Sequence, residues 1–253
     1  MSAWKRWLPP ALLLLGLVGL WQIAASSGLL EDALNLQSFL VPSPAEIGEA
    51  LWQNRSLLAE NSWVTLEEML LGFGCALVAG LGFAVAMHFS ATLHRALYPP
   101  IVASQAIPIL VIAPILVVWF GYGMGPKLWI VALVCFFPIA VNTLDGLRSV
   151  DPEATKTMRT LDASRMQILW RLEAPTALPF VFSGAKIAAG VTGIAAVFGE
   201  WAGAESGLGV LIHEDSGQFE IARLFAEVAL VAAMALALFA LLALAERRVV
   251  TWR

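Results

Sequence analysis

The chain has 253 residues, of which 59% are hydrophobic and only 13% are charged, and its mean hydropathy is +0.79. Soluble domains carry about 25% charged residues, so this composition argues against a soluble enzyme. We therefore predict an all-α, polytopic membrane protein. The two cysteines, Cys75 and Cys135, lie inside apolar runs and indicate neither a disulfide framework nor a zinc site.

Charge-free runs predict about six membrane-spanning helices, since a span needs roughly 20 apolar residues. The runs cover residues 7–30, 69–87, 96–126, 128–144, 187–199 and 228–245. The fifth run reaches spanning length if it is extended back through Lys186 to Pro179, with the lysine reaching toward the lipid headgroups. The third contains four prolines, which predict kinks or a re-entrant stretch.

The basic residues predict the orientation, because lysine and arginine are enriched in cytoplasmic loops. With the N-terminus inside, all but Arg55, Lys127 and Arg223 of the 15 basic residues fall on the inner side. Both termini are therefore expected in the cytoplasm. Most acids fall on the outer side or its rim, so the acidic pI gives no indication of nucleic-acid binding. A signal peptide cleaved after residues 24–26 is the alternative for the first run, but its length favours a retained span.

Residues 148–175 form the longest inward loop and are expected to hold two short helices. Asp151 is a good N-cap, and the helix that follows should stop near Asp162. Ser164 is followed three residues later by glutamine, a capping-box pattern that predicts a second helix ending before Pro175.

On these helices, apolar side chains form two stripes that a solvated connector does not need. One stripe is Ala154, Met158 and Leu161, and the other is Met166, Leu169 and Trp170. The loop therefore packs either on the membrane surface or in a groove of a cytoplasmic partner, and the residues alone favour neither.

Several stretches together resemble ATP-binding-cassette importer permeases, and specifically the branch for nitrate, sulfonates, taurine and thiamine pyrimidine precursors. They are DPEATKTMRTLDASR (151–165), WRLEAP (170–175), LPFVFSG (178–184), FLVPSPAE (39–46) and GEWAGAESGLGVLI (199–212). The resemblance covers most of the chain. It implies a single permease domain over residues 1–253 with a cytoplasmic coupling loop at about 148–175.

The resemblance also implies the partners. They are a separate cytoplasmic ATPase that binds ATP and magnesium, an external solute-binding protein, a second copy of the permease, and membrane lipid. The ATPase-coupling residues it indicates are Ala154, Met158, Leu161, Asp162, Ala163 and Ser164. The chain departs from the family where Lys156, Thr157 and Met158 replace a Glu-Ala-Ala triplet, where Asp162 replaces a glycine and where Ala174 replaces a leucine. Aspartate tolerates left-handed geometry, so the turn at residue 162 can survive.

The fifth span carries the candidates for the translocation path. Small residues, including Ala188 and Thr192, recur at four-residue spacing, which predicts close helix packing inside one subunit or at a subunit interface. Glu200 and Trp201 follow at the outer end, where an acid is either a hydrated rim residue or a functional group. Gln105 in the third span is a weaker candidate. The Glu200-Trp201 region resembles thiamine-precursor permeases in particular, with sulfonate, taurine or nitrate as alternatives.

Rival functions lack their motifs. An ion-coupled secondary transporter is expected to place ionisable groups near the bilayer midplane, and no acid lies within a predicted span. The sequence contains no P-loop, no Gly-x-Ser-x-Gly and no His-Glu-x-x-His, so we expect no catalytic residues, cofactor or metal in this chain. In particular, the adjacent His213, Glu214 and Asp215 do not suit one metal ion.

Overall fold

The computed structural model describes residues 3–28, 37 and 40–252. The regular elements in these residues are helical, which confirms the all-α fold class. The helices are α1 (Ala3–Ser26), α2 (Pro44–Gln53), α3 (Arg55–Phe89), α4 (Ala91–Ala103), α5 (Ile109–Phe120), α6 (Met124–Arg148), α7 (Pro152–Thr160), α8 (Arg165–Ile168), α9 (Ala174–Trp201), α10 (Leu208–Gln218) and α11 (Ile221–Val249). A 3₁₀ turn, Ser104–Ala106, follows α4, and a π-helical turn, Leu169–Glu173, joins α8 to α9.

Five helical segments of the described chain are long and apolar enough to cross a membrane, and a bent pair brings the number up to six. The bent pair comprises α4 with its 3₁₀ turn and α5, which meet at 108°. Pro108 lies at the break, where it has no N–H to continue the helix and serves as the N-cap of α5. The predicted kink is confirmed. The predicted bounds of this run are wrong at its end, since α5 stops at Phe120 and Pro126 belongs to α6.

The prediction that the second loop helix ends before Pro175 is wrong. The helix continues through the π-helical turn into α9, so that Arg165–Trp201 forms one apolar segment. Pro175 stands in the first turn of α9, where its missing N–H costs little. A wider π turn directly before it accommodates the change in hydrogen-bond pattern.

The core lies around α9, which packs most extensively against α6 and also contacts α3, α10 and α11. Glycines allow the close approach of α6 and α9. A Cβ at Gly146 would lie 2.7 Å from Cβ of Phe180, and one at Gly184 would lie 2.9 Å from Cβ of Asn142. By contrast, α1 is peripheral, and none of the apolar window along it is buried.

We predict that Ala188→Phe disrupts this packing. Ala188 is fully buried among the side chains of the main apolar cluster, so a benzyl group has no space there. Overpacking costs about 1–3 kcal/mol, which corresponds to a melting temperature in detergent lower by about 2–12 °C. The matched control is Ile187→Phe, one residue away and 55% exposed, which should melt like the wild type. Equal melting of both variants would contradict a tightly packed α9.

Candidate functional site

The loop between α6 and α9 begins with a capped helix, as the sequence predicts. The side chain of Asp151 accepts a hydrogen bond from the backbone N–H of Glu153 and starts α7. The turn after α7 places Asp162 at φ 56°, the left-handed geometry that aspartate tolerates. The N–H of Ala163 then donates to the carbonyl of Met158 at 3.0 Å, which closes the turn. Ser164 caps α8 in the predicted capping box.

Three large apolar side chains of this loop are exposed. Leu161 is 77% exposed, Met166 55% and Trp170 68%. We call these three residues the loop apolar surface. Ala154, Met158 and Ala163 are half-buried beside it. The prediction that Leu169 shares this surface is wrong, because Leu169 is buried against Leu147 and Ala177.

Among the described residues, the loop contacts α3 through one polar contact and through the apolar cluster that contains Leu169. Nε2 of His88, at the end of α3, lies 2.8 Å from Oε2 of Glu173 in the π-helical turn. Phe89 and Val85 of α3 pack against the cluster that contains Leu169. A displacement of the loop would therefore act directly on α3 as well as on α9.

The end of the molecule opposite this loop, which we call the distal end, holds a buried polar cluster of Asn61, Thr65, Glu68, Lys127 and Glu200. Glu200, the last residue but one of α9, is only 1% exposed. Its carboxylate accepts hydrogen bonds from the Thr65 hydroxyl at 2.6 Å, from the Gly209 N–H and from the Val210 N–H. The alternative of a hydrated rim acid is therefore wrong.

The same cluster binds the remaining N–H groups at the start of α10. The Gly207 N–H donates to Oδ1 of Asn61, and the Leu208 N–H donates to Oγ1 of Thr65, each at 2.8 Å. A helix start leaves its first N–H groups unpaired, and here side chains of α3 and α9 accept all of them. A Cβ at Gly207 would collide with the Glu200 carboxylate, so glycine is required there.

The buried cluster around Glu200 also contains an ion pair between Lys127 and Glu68. Nζ of Lys127 lies 2.6 Å from Oε1 of Glu68, and the side chains are 10% and 0% exposed. Lys127 lies in the first turn of α6 rather than in a loop, and Glu68 lies within α3, so the pair is buried between helices. Glu68 and Glu227 of α11 are fully buried acids in helices long enough to span a membrane, and each stands one residue before a charge-free run. Lys186, near the start of the fifth predicted run, pairs with Glu246 of α11 at 2.6 Å.

The candidates for the translocation path do not lie together. Ala188 and Thr192 are fully buried inside the subunit, whereas Gln105 is exposed in the 3₁₀ turn. Trp201 is 44% exposed, and its indole N–H donates to the carbonyl of Gly209 at 2.7 Å. The exposed stripe of α9 consists instead of Ile187, Gly190, Ile194 and Trp201. The pathway role of these candidates stays a prediction.

Comparison with known proteins identifies the family. Residues 76–251 match the family described as binding-protein-dependent transport system inner membrane component. The chain belongs to this family. It is therefore the permease subunit of an ATP-binding-cassette importer and a multi-pass protein of the inner membrane.

Three relatives support the predicted branch. The formylaminopyrimidine transport permease protein of Halalkalibacterium halodurans is 34% identical over 97% of this chain and 96% of its own length. The riboflavin transport system permease protein of Chloroflexus aurantiacus is 35% identical over 85% and 81% of the two chains. The taurine transport system permease protein of Escherichia coli is 31% identical over 80% and 71%.

Solved transporter structures share the fold. An amino acid ABC transporter matches with a TM-score of 0.64 at 18% identity, over 78% of this chain and 96% of its own. The inward-facing MetNI methionine ABC transporter matches with a TM-score of 0.62 at 22% identity, over 79% and 97%. Both matches confirm that the helices are arranged as in importer permeases.

Proposed function

We infer that this permease imports a heterocyclic vitamin precursor of the formylaminopyrimidine type, driven by a separate cytoplasmic ATPase that binds the loop apolar surface. The observation that carries the coupling role is the exposure of Leu161, Met166 and Trp170 on a loop whose helix starts are capped. Apolar groups of this size are stabilised by about 1.5–3 kcal/mol each when they leave water, which favours a partner over solvent.

The loop makes the mechanical connection that such coupling needs. Arg165–Trp201 is one continuous helical segment, and its buried part is the central helix of the core. Closure of the ATPase on ATP would pull α7 and α8, and α9 would transmit the displacement to the distal end. With both termini in the cytoplasm, the distal end faces an external solute-binding protein that delivers the substrate. Two copies of this chain would form the pathway between them.

The names of the relatives and their identity to this chain support a heterocyclic substrate. Those named for formylaminopyrimidine and riboflavin transport, at 34% and 35% identity, carry flat heterocycles, whereas the taurine permease is 31% identical over less of the chain. Sulfonate, taurine or nitrate import is the alternative.

Uptake into proteoliposomes tests this proposal. Vesicles containing the permease with its ATPase and binding protein should accumulate labelled formylaminopyrimidine when ATP is enclosed with the ATPase, and should exclude taurine. Uptake of taurine alone would overturn the substrate and leave the importer role intact. Uptake driven by an ion gradient without ATP would overturn the importer role itself.

A further inference from the structure

A second feature of the loop is a cavity of about 300 Å³ between the end of α3 and the two loop helices. Arg159 of α7 and Arg165 of α8 line it together with His88 and Glu173. Apolar walls are supplied by Phe89 and Ile168. The cavity therefore combines a cationic part with an apolar part.

The two arginines carry positive charge that the described protein does not balance. The ion pairs in the described residues involve other cations, so no carboxylate lies within 4.0 Å of either guanidinium. Glu173, the acid in the cavity lining, already lies 2.8 Å from His88. Because arginine stays protonated, the cavity is net positive whichever form His88 takes.

The cavity lies at the end of α3, a helix that is longer than a bilayer is thick. The 35 residues of α3 extend over about 52 Å at 1.5 Å per residue. The hydrocarbon core of a bilayer is about 30 Å thick, so if α3 spans it, the end of α3 at Phe89 lies outside the core, at or beyond the start of the headgroup layer. Guanidinium groups bind phosphate oxygens in pairs of parallel hydrogen bonds.

We propose that this cavity binds a phosphate group, with Arg159 and Arg165 as its ligands. The source is either the headgroup of an anionic phospholipid, whose glycerol backbone would lie on Phe89 and Ile168, or a free phosphate ion. The bound phosphate joins α7 to α8 across the turn that presents Leu161. Its effect on transport rests on the proposed coupling role, whereas the binding itself does not.

Native mass spectrometry of the purified permease without ATPase tests the site directly. After exposure to vesicles of phosphatidylcholine with phosphatidylglycerol, the wild type should retain phosphatidylglycerol, and R159Q/R165Q should retain about tenfold less. The matched control is R247Q/R248Q, which removes the same charge from two exposed arginines at the end of α11. R159K/R165K, which keeps the charge and loses the paired geometry, should retain an intermediate amount.

Equilibrium dialysis with labelled inorganic phosphate, in detergent without lipid, separates the two sources. Phosphate binding that R159Q/R165Q abolishes, without retention of phosphatidylglycerol, assigns the site to the free ion. Equal losses in R159Q/R165Q and R247Q/R248Q would overturn the site and indicate general charge attraction. Unchanged binding of both ligands in R159Q/R165Q would also overturn it, and if ATPase co-purification fell in that variant, the arginines would be assigned to the ATPase.

Discussion

Glu200→Ala should lower the melting temperature of the permease in detergent by about 4–8 °C or more. The substitution removes the acceptor for the Thr65 hydroxyl and for the N–H groups of Gly209 and Val210 in a site that is closed to water. The Thr65 hydroxyl still has the Asn61 carbonyl at 3.2 Å, so two buried donors are left without a partner, at about 1–3 kcal/mol each and about 2 kcal/mol or more together. One kcal/mol shifts the melting temperature of a chain of this size by about 2–4 °C.

Two further variants make this result specific. Glu205→Ala removes the same charge from an exposed side chain between α9 and α10 and should melt like the wild type. Glu200→Gln keeps one acceptor oxygen and should fall between the two. If Glu200→Ala and Glu205→Ala have the same melting temperature, the Glu200 carboxylate does not stabilise the start of α10.

Leu161→Asp should weaken binding of the ATPase by about 100-fold or more while leaving the permease folded. Leu161 is 77% exposed, so the isolated subunit loses no packing. In the complex, the leucine would lose about 1.5–3 kcal/mol of apolar burial, and the carboxylate would add a desolvation cost. Titration of the purified ATPase onto the detergent-solubilised permease measures the change.

Trp252→Asp serves as the control for this substitution. Trp252 is 56% exposed beyond the end of α11, and its replacement introduces the same charge in place of an apolar side chain outside the loop. The Trp252→Asp permease should bind the ATPase with near-wild-type affinity. Comparable losses in both variants would show that charge near the cytoplasmic face, rather than the loop apolar surface, controls binding.

The local signals in the sequence predicted much of the loop. Asp151 and Ser164 cap their helices because capping depends on residues three positions apart or less, and Asp162 adopts the left-handed geometry that aspartate tolerates. The prediction that the second loop helix ends before Pro175 was wrong because it depended on the proline alone. A proline ends a helix where its N–H is needed for a hydrogen bond, and here the π-helical turn before Pro175 lets the helix continue.

The buried cluster could not be predicted in the same way. Lys127 and Glu68 are 59 positions apart, and a charge between two apolar runs is as typical of a loop as of a buried pair. Lys127 interrupted the apolar run just after Gly125 and Pro126, so the sequence indicated a turn where α6 has already begun at Met124. The glycine pair at Gly207 and Gly209 was the available signal for Glu200, since both lie against its carboxylate.

Cross-linking tests the coupling role most directly. Cys75 is exposed and Cys135 is buried, so Cys75→Ser leaves a background in which Leu161→Cys is the accessible thiol. A reagent with a maleimide at one end and a photoreactive benzophenone at the other, attached to Leu161→Cys, should on illumination join it to the ATPase in the assembled transporter, with a yield that changes when ATP binds, and should not join Trp252→Cys to it. Absence of a Leu161→Cys product in a complex that still hydrolyses ATP and transports substrate would contradict the account.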